Sequence, residues 1–382
     1  MKVCHVCTSL AVAGAQKMLL ELLKQLKKTR LEIESHVVTL IDGPVRQEIE
    51  AIGVPVTVVS KSKRQAFNPL SILKLAVLLR RIEPEVIQGW MYHGCLAALL
   101  AERANLRATP VMWGIHSSLD DLKNEKRLTR AVISICAWLS KWPTHVIHCS
   151  YTSKKQHEGL GFDRKNSTVI PNGFDHQRFR PDEQAHESLC EELALGTDPL
   201  LVGHIARYHP MKDHQNLLQA ASLLVKRVPE VHFILAGAGV EQNNKTLTEL
   251  VERLNISQHV HFLGLRSDVP RLMAAFDAFC TSSAWGESFP IVVGEAMASR
   301  VPCVVTDVGD SAALVGDTGV VVAPNAPEAL AEGLIKVLKM NHEERTVLAK
   351  KARERIIHHY SIETVTNKYA ALFESYAVCR GF

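Results

Sequence analysis

No run of apolar residues in this chain is long enough to cross a bilayer. Even the apolar stretch from Ala131 to Leu139 falls far short of the roughly 20 residues that a spanning helix needs. The first residues, Met1-Lys-Val-Cys-His-Val-Cys7, form a short strand-like run with no apolar h-region and no cleavage site, so no signal peptide is expected. A cytosolic location is the default. The chain also lacks a disulfide framework: its nine cysteines are odd in number and scattered. Cys4-x-x-Cys7 is no zinc half-site either, because positions i and i+3 of a strand face opposite sides and no second pair follows. No repeat of solenoid period is visible. An Asp-x-Asp metal signature is missing, and so is the Gly-x-Gly-x-x-Gly loop of a dinucleotide site. Asp42 follows the second predicted strand, as a ribose-binding acid would, but without those glycines a dehydrogenase is a poor reading.

What is present is a chain of 382 residues, 47% hydrophobic and 22% charged, the proportions of a globular protein with room for two ordinary domains. Charge is uneven. Residues 1–172 hold 24 Lys+Arg against 14 Asp+Glu, a balance of +10, and the whole chain is +4, leaving −6 for the rest. Lys24, Lys27, Lys28 and Arg30 cluster in the basic half, as do Lys61, Lys63 and Arg64. A solvated face accounts for them; so does attraction to anionic lipid headgroups or to a pyrophosphate-linked acceptor.

Strand-like and helix-like runs alternate, the pattern of an α/β protein with parallel sheets. In the first half the predicted strands are Val3–Cys7, His36–Leu40, Val54–Val59, Val86–Gln88, Val111–Trp113 and His145–His148. An amphipathic helix runs from Gln16 to Lys28, with Leu19, Leu20, Leu22, Leu23 and Leu26 on its apolar face, and another from Pro69 to Arg81. Pro171 and Asn172-Gly173 punctuate the chain, and the domain boundary belongs there. The second half repeats the alternation with Leu200–Ala206, His232–Ala236, Val260–Leu263, Ala278–Thr281, Val304–Thr306 and Val320–Val322. From Pro327 onward the pattern is helical, ending with Thr364 to Tyr376. Three segments follow: residues 1–172, 173–360 and 361–382.

The most informative stretch is Trp285-Gly-Glu-Ser-Phe-Pro-Ile-Val-Val-Gly-Glu-Ala-Met-Ala298. Glu287 lies before a helix that starts near Pro290, since proline suits a first helical turn, and Glu295 lies inside that helix. At about 1.5 Å of rise per residue the two carboxylates stand about 7–12 Å apart. That is wider than the roughly 5–5.5 Å pair of a retaining glycosidase, and suits two ends of one elongated polar ligand.

This stretch resembles the E-x7-E motif of the retaining family 4 glycosyltransferases. Gly14-Ala-Gln16, His116 in Trp-Gly-Ile-His, Pro171-Asn-Gly-Phe-Asp175, Arg207 with Lys212, and Asp307-Val-Gly-Asp310 follow in that family's order along nearly the whole chain. The resemblance implies the GT-B architecture: α/β, two Rossmann-like domains facing a cleft, the first on the acceptor side and the second binding the nucleotide sugar. The terminal helix would cross back to the first domain.

Each site residue has a functional and a plain reading. Gly14 opens the helix after strand one, where backbone N–H groups converge on an anion; a tight turn is the plain alternative, and Ala13 departs from the family's usual glycine pair. Arg207 and Lys212 flank a strand end and a helix start and suit a diphosphate, or are solvated surface cations. Lys212-Asp213 replaces the family's commoner Lys-Gly. The resemblance puts His116 against the donor sugar, where a lone histidine is otherwise structural. Tyr92 and His93 line the acceptor side or simply pack. Leu265, in Gly264-Leu-Arg-Ser-Asp268, is implied to read the nucleobase through its backbone, and the loop made of Ser288, Phe289, Pro290 and Ile291 to aim its backbone N–H groups, which Pro290 itself lacks, at the sugar. Gly237-Ala-Gly239 shapes the wall of the donor pocket. Ala131 to Trp142 is a core helix or, through Trp138 and Trp142 beside Lys141, a surface that touches a bilayer.

The expected enzyme transfers a sugar from a UDP or GDP sugar to a glycan or lipid-linked acceptor in bacterial surface polysaccharide or lipid-linked oligosaccharide assembly. Glu295 would take the ribose, Glu287 the sugar, and Arg207 with Lys212 the leaving diphosphate. No metal and no nucleic acid are expected. The location is cytoplasmic, with the cytoplasmic face of the inner membrane as the point of peripheral contact. An epimerase or phosphorylase on the same fold, and a non-enzymatic nucleotide-sugar or polyanion binder, stay open at this stage.

Overall fold

The computed structural model describes residues 1–60, 68–119, 122, 126–196 and 198–377; Lys61, Lys63 and Arg64 lie outside them. The chain divides into two compact units. One comprises Met1–Gly173 and the segment from Ile362 onward, the other Phe174–Ser361.

The first unit is built on seven strands: β1 (Lys2–Ser9), β2 (Glu34–Ile41), β3 (Val56–Ser60), β4 (Val86–Trp90), β5 (Val111–Ile115), β6 (His145–His148) and β7 (Ser167–Val169). They lie in the order β3-β2-β1-β4-β5-β6-β7, with every pairing parallel. Helices cover both faces, so the strands read as continuous apolar runs. Alternation sorts them: Cys4 and Val6 enter one core cluster while Val3 and Cys7 enter the other, and Cys4 and Cys7 are both free. The Gly14–Thr29 helix buries the five leucines of its apolar face. Asn68 caps the Pro69–Ile82 helix by accepting from Ser71 N–H at 2.8 Å, with Pro69 in the first turn. The Ile362–Ala377 helix presses Ile362, Val365, Tyr369 and Phe373 into the same cluster as Leu19 and Leu22.

The second unit has six strands: β8 (Leu200–Ile205), β9 (Val231–Ala236), β10 (Val260–Phe262), β11 (Ala278–Thr281), β12 (Cys303–Thr306) and β13 (Gly319–Val322). Their order is β10-β9-β8-β11-β12-β13, again all parallel. This is the doubly wound arrangement, in which the chain leaves one side of the first strand and resumes on the other. The reversal falls between β8 and β11 here, and between β1 and β4 in the first unit.

Several elements differ from the sequence expectation, three of them for a physical reason. β3 starts at Val56, because Pro55 cannot donate to the ladder. β7 is a half-buried edge strand of three residues, Ser-Thr-Val, too short and too polar to show a period. The long helical tail is broken at Ile356–Tyr360, a π-turn. Ser361 then bridges Phe174 and closes the second unit. Among the described residues, no helix is long and apolar enough to cross a membrane.

Candidate functional site

In the second unit the loops after β8 and β11 meet at the strand-order reversal. The first leaves β8 at Ala206, whose N–H donates to the Ala236 carbonyl at 2.9 Å, and Tyr208 N–H donates to the Ala238 carbonyl at 2.8 Å. Pro210–Lys212 forms one tight turn. Asp213 then takes a left-handed conformation (φ 44°) and caps the His214–Val225 helix, accepting from Asn216 N–H at 3.1 Å. The second loop is stitched to the first. Ser282 Oγ donates to the Lys212 carbonyl at 2.8 Å and Ala284 N–H to the Met211 carbonyl at 2.9 Å. Gly286 (φ +78°) takes at the crossing a left-handed conformation that side chains rarely adopt.

Glu287 is the hub of this arrangement. Its residue is 9% exposed, and Oε1 accepts both from Lys212 Nζ and, at 2.7 Å, from Ser283 Oγ. The Ser283 carbonyl in turn accepts from Thr306 Oγ1 at 2.8 Å. The Asp307–Asp310 loop closes over the backbone: Asp310 N–H donates to the Ser288 carbonyl at 2.9 Å. A Cβ on Gly309 (φ +61°) would lie 2.2 Å from the Glu287 carbonyl oxygen. Two residues that the sequence reading had in separate roles, Lys212 and Glu287, are thus a direct ion pair. Ser283 went unnoticed because a serine two positions past the end of β11 carries no signal of its partner.

The remaining second-unit candidates are spread around this hub. Arg207 is exposed. Pro290 is the residue before the Ile291–Ala298 helix and is not in its first turn, and Glu295 is half-buried on that helix. Phe289 sends its ring into the core, 6.1 Å from Phe174 and 5.4 Å from Tyr360. Ser288 is buried and Ile291 half-buried. Leu265 is exposed, on a segment made rigid by Arg266, which grips Asp268 through two 2.8 Å bonds and Glu192 through a third at 2.7 Å. Those guanidinium contacts hold the Asp268 carboxyl well below the usual carboxylate range.

In the first unit, Gly14 is exposed as the first residue of its helix, whose opening N–H groups have no partner within the helix. Gln16 folds the preceding loop by donating to the Ser9 carbonyl at 2.9 Å. His116 follows β5 and stacks on Trp90, ring centroids 4.9 Å apart and planes 17° off parallel. Its Nδ1 lies 3.2 Å from Asn172 Oδ1. An amide oxygen only accepts, so Nδ1 carries the proton and Nε2 presents a lone pair. Nε2 is buried and has no hydrogen-bond partner among the described residues. Burial lowers the imidazole to about 4, against the Asn172 bond, which raises it; the ring is neutral at physiological pH. The Trp-Gly-Ile-His and Pro-Asn-Gly-Phe-Asp motifs therefore meet through one hydrogen bond. Tyr92 is buried, and its hydroxyl is committed to His157 Nε2 at 2.7 Å and Ser117 Oγ at 2.8 Å. His93 is half-buried, and burial lowers its pKa.

Two family models match, end to end along the chain: Glycosyltransferase Family 4 over residues 12–178 and Glycosyl transferases group 1 over residues 187–355. The chain belongs to the glycosyltransferases. Along 97% of its length this glycosyltransferase is 22% identical to the UDP-Gal:alpha-D-GlcNAc-diphosphoundecaprenol alpha-1,3-galactosyltransferase of Escherichia coli, covering 96% of that protein. A shorter segment, 38% of the chain, is 34% identical to EpsF of Bacillus subtilis, a glycosyltransferase by provisional name, and spans only 37% of it. The crystal structure of Anabaena HepE in complex with UDP matches the fold with a TM-score of 0.85, over 98% of this chain and 100% of that one, at 23% identity. The GT-B architecture is thus that of the glycosyltransferase, and the epimerase, phosphorylase and non-enzymatic readings are not favoured.

Proposed function

We propose that this glycosyltransferase transfers a sugar, with retention of anomeric configuration, from a UDP sugar to a hydroxyl of a glycan or lipid-linked acceptor at the cytoplasmic face of a bacterial membrane. The observation that carries the reading is the Lys212–Glu287 pair. It sits on the loops after β8 and β11, at the reversal of strand order where ligands of doubly wound sheets bind. UDP is favoured over GDP because the E. coli relative is named for UDP-Gal and HepE was crystallised with UDP.

In this reading an arriving diphosphate draws Lys212 away from Glu287, since phosphate oxygens carry more charge than one carboxylate. Glu287, still held by Ser283, then accepts from sugar hydroxyls. Arg207 joins Lys212 in stabilising charge that grows on the leaving diphosphate, an effect worth about 2–4 kcal/mol per donor in comparable sites. Glu295 holds the ribose, the backbone at Leu265 reads the base, and the Ser288–Ile291 loop faces the sugar. In the first unit Gly14 offers its helix N–H groups to an anion, His116 its Nε2 lone pair to a hydroxyl, and Tyr92 and His93 serve the acceptor. Two side-chain cations take the role of a metal, so activity survives EDTA.

The deciding experiment is a thermal-shift screen followed by calorimetry. At about 100 times its dissociation constant a UDP sugar stabilises the protein by roughly 2.7 kcal/mol. Glu295→Gln weakens UDP itself, whereas Glu287→Gln binds UDP like wild type and loses kcat. No shift with UDP sugars alongside a clear shift with GDP sugars overturns the choice of base. The opposite ranking of the two variants swaps their roles. Activity lost to EDTA and restored by Mn²⁺ rejects the metal-free reading.

A further inference from the structure

The helices Pro69–Ile82, Met91–Asn105 and Arg127–Leu139 form one layer on the first unit's sheet, packed side by side and sharing one core cluster. The layer's outward side has the composition of an interface. On the Arg127–Leu139 helix the inward residues Val132, Ile133 and Cys136 are buried, yet a second apolar stripe points away from them. That stripe is Leu128 (67% exposed), Ile135, Trp138 (76%) and Trp142 just beyond the helix end. The Pro69–Ile82 helix repeats the pattern with Leu70 (65%), Leu73 and Val77, opposite buried Leu75 and Leu79. A surface helix that is apolar on both faces is unpartnered on one of them, and exposed apolar residues grouped in this way mark an interaction site.

The exposed charge within these three helices is basic. Lys74, Arg80, Arg81, Arg103 and Arg127 lie on the exposed side. The outer two helices contain no Asp or Glu, and the middle one has only Glu102, which is buried, accepts from Thr109 N–H at 3.0 Å and lies 3.9 Å from Arg103; Glu83, just past the first helix, pairs with Arg107 at 3.2 Å. Arg103 stands 5.5 Å over the Trp142 ring. The opposite helical layer behaves differently: Lys24 pairs with Glu21, and Arg30 with Glu32 and Glu374, and its apolar residues are inside.

From this asymmetry we infer that the three-helix layer of the first unit docks on an anionic lipid surface, with the Leu and Trp side chains in the headgroup boundary and the Lys and Arg side chains on lipid phosphates. Charge complementarity selects this occupant. A second copy of the chain would set like charges against like across a two-fold contact, whereas an anionic surface attracts each Lys and Arg. Tryptophan suits the boundary because its ring is apolar and its N–H is wet. The inference extends the proposed lipid-linked acceptor to a definite surface and rests on that reading for its purpose alone.

Flotation of the full chain with vesicles tests it. Wild type should float with phosphatidylcholine–phosphatidylglycerol vesicles, less so at high salt, and stay behind with phosphatidylcholine alone. Trp138→Ser with Trp142→Ser should weaken partitioning at least about tenfold. Lys74→Glu with Arg81→Glu should do so by about a hundredfold, and both double variants should keep the wild-type thermal shift with UDP. Absence of flotation on anionic vesicles at low salt overturns the inference, as does flotation that neither double variant changes. Variants that convert a dimer to a monomer without altering flotation assign the face to a second copy and also overturn it. Failure of wild type to respond to UDP sugars rejects the donor reading and leaves this one untouched.

Discussion

Glu287 and Lys212 cannot be changed independently, because each neutralises the other in a pocket where neither side chain is more than 16% exposed. Lys212→Ala leaves a largely buried carboxylate without its cation, a cost of about 1–3 kcal/mol. It should therefore lower both Tm and turnover. Adding Glu287→Gln to Lys212→Ala should restore most of the lost Tm and none of the turnover; differential scanning fluorimetry with a transfer assay separates the two effects. At the first unit's site, Asn172→Ala should reduce kcat while leaving Tm within a few degrees. It frees the His116 ring to take the other tautomer and so to lose the Nε2 lone pair; equal activity in this variant rejects the tautomer argument. Residue types and loop positions at both sites were legible from the chain, since strand ends and helix starts mark where such side chains emerge. The pairings were not. Lys212 and Glu287 are 75 positions apart and His116 and Asn172 are 56 apart, and no local pattern encodes such a contact.

Loops that carry these residues are held by backbone geometry as well as by side chains. Gly309 is the clearest case: its φ of +61° and the 2.2 Å approach of the Glu287 carbonyl leave no place for a methyl group. Gly309→Ala should destabilise the second unit by about 1–3 kcal/mol and lower kcat through displacement of Glu287. A variant with normal Tm and activity would show that the loop relaxes freely. Long elements with a strong period, such as the Gly14–Thr29 helix, agree with the sequence reading because burial of one leucine face dominates their energetics. Short elements do not: β7 draws its existence from pairing with β6 rather than from its own three residues. For Ala131 to Trp142, neither the core reading nor the surface reading was complete, since one face of the helix is buried and the other exposed.

Across the whole molecule, histidines are the weak point in acid. His5, His148 and His204 are lowered to about 3 and His116, His157 and His214 to about 4, in every case chiefly by burial. Both ring nitrogens of His148 lack a hydrogen-bond partner among the described residues. Between these depressed values and the ordinary 6.5 the unfolded chain binds more protons than the folded one. Stability present above pH 6.5 is therefore lost as pH falls through the window toward 4 and 3. Tm measured from pH 7.5 downward should drop steeply below about pH 6.5, and His148→Phe should flatten that drop. A flat Tm between pH 7 and 5 would mean that these rings ionise in place.

By itself the sequence determined the class of fold and the class of enzyme. Apolar period and punctuation report which residues must leave water, and the ordered motifs lie at strand ends that any doubly wound sheet brings to one edge. The tertiary structure decided what depends on distance: that Lys212 rests on Glu287, that Ser283 holds Glu287 from behind, that Asn172 sets the proton of His116, and that one helical layer leaves its second apolar face uncovered. Each is an interaction between residues far apart in the chain, whose strength depends on geometry and on burial, and those quantities come into being only when the chain has folded.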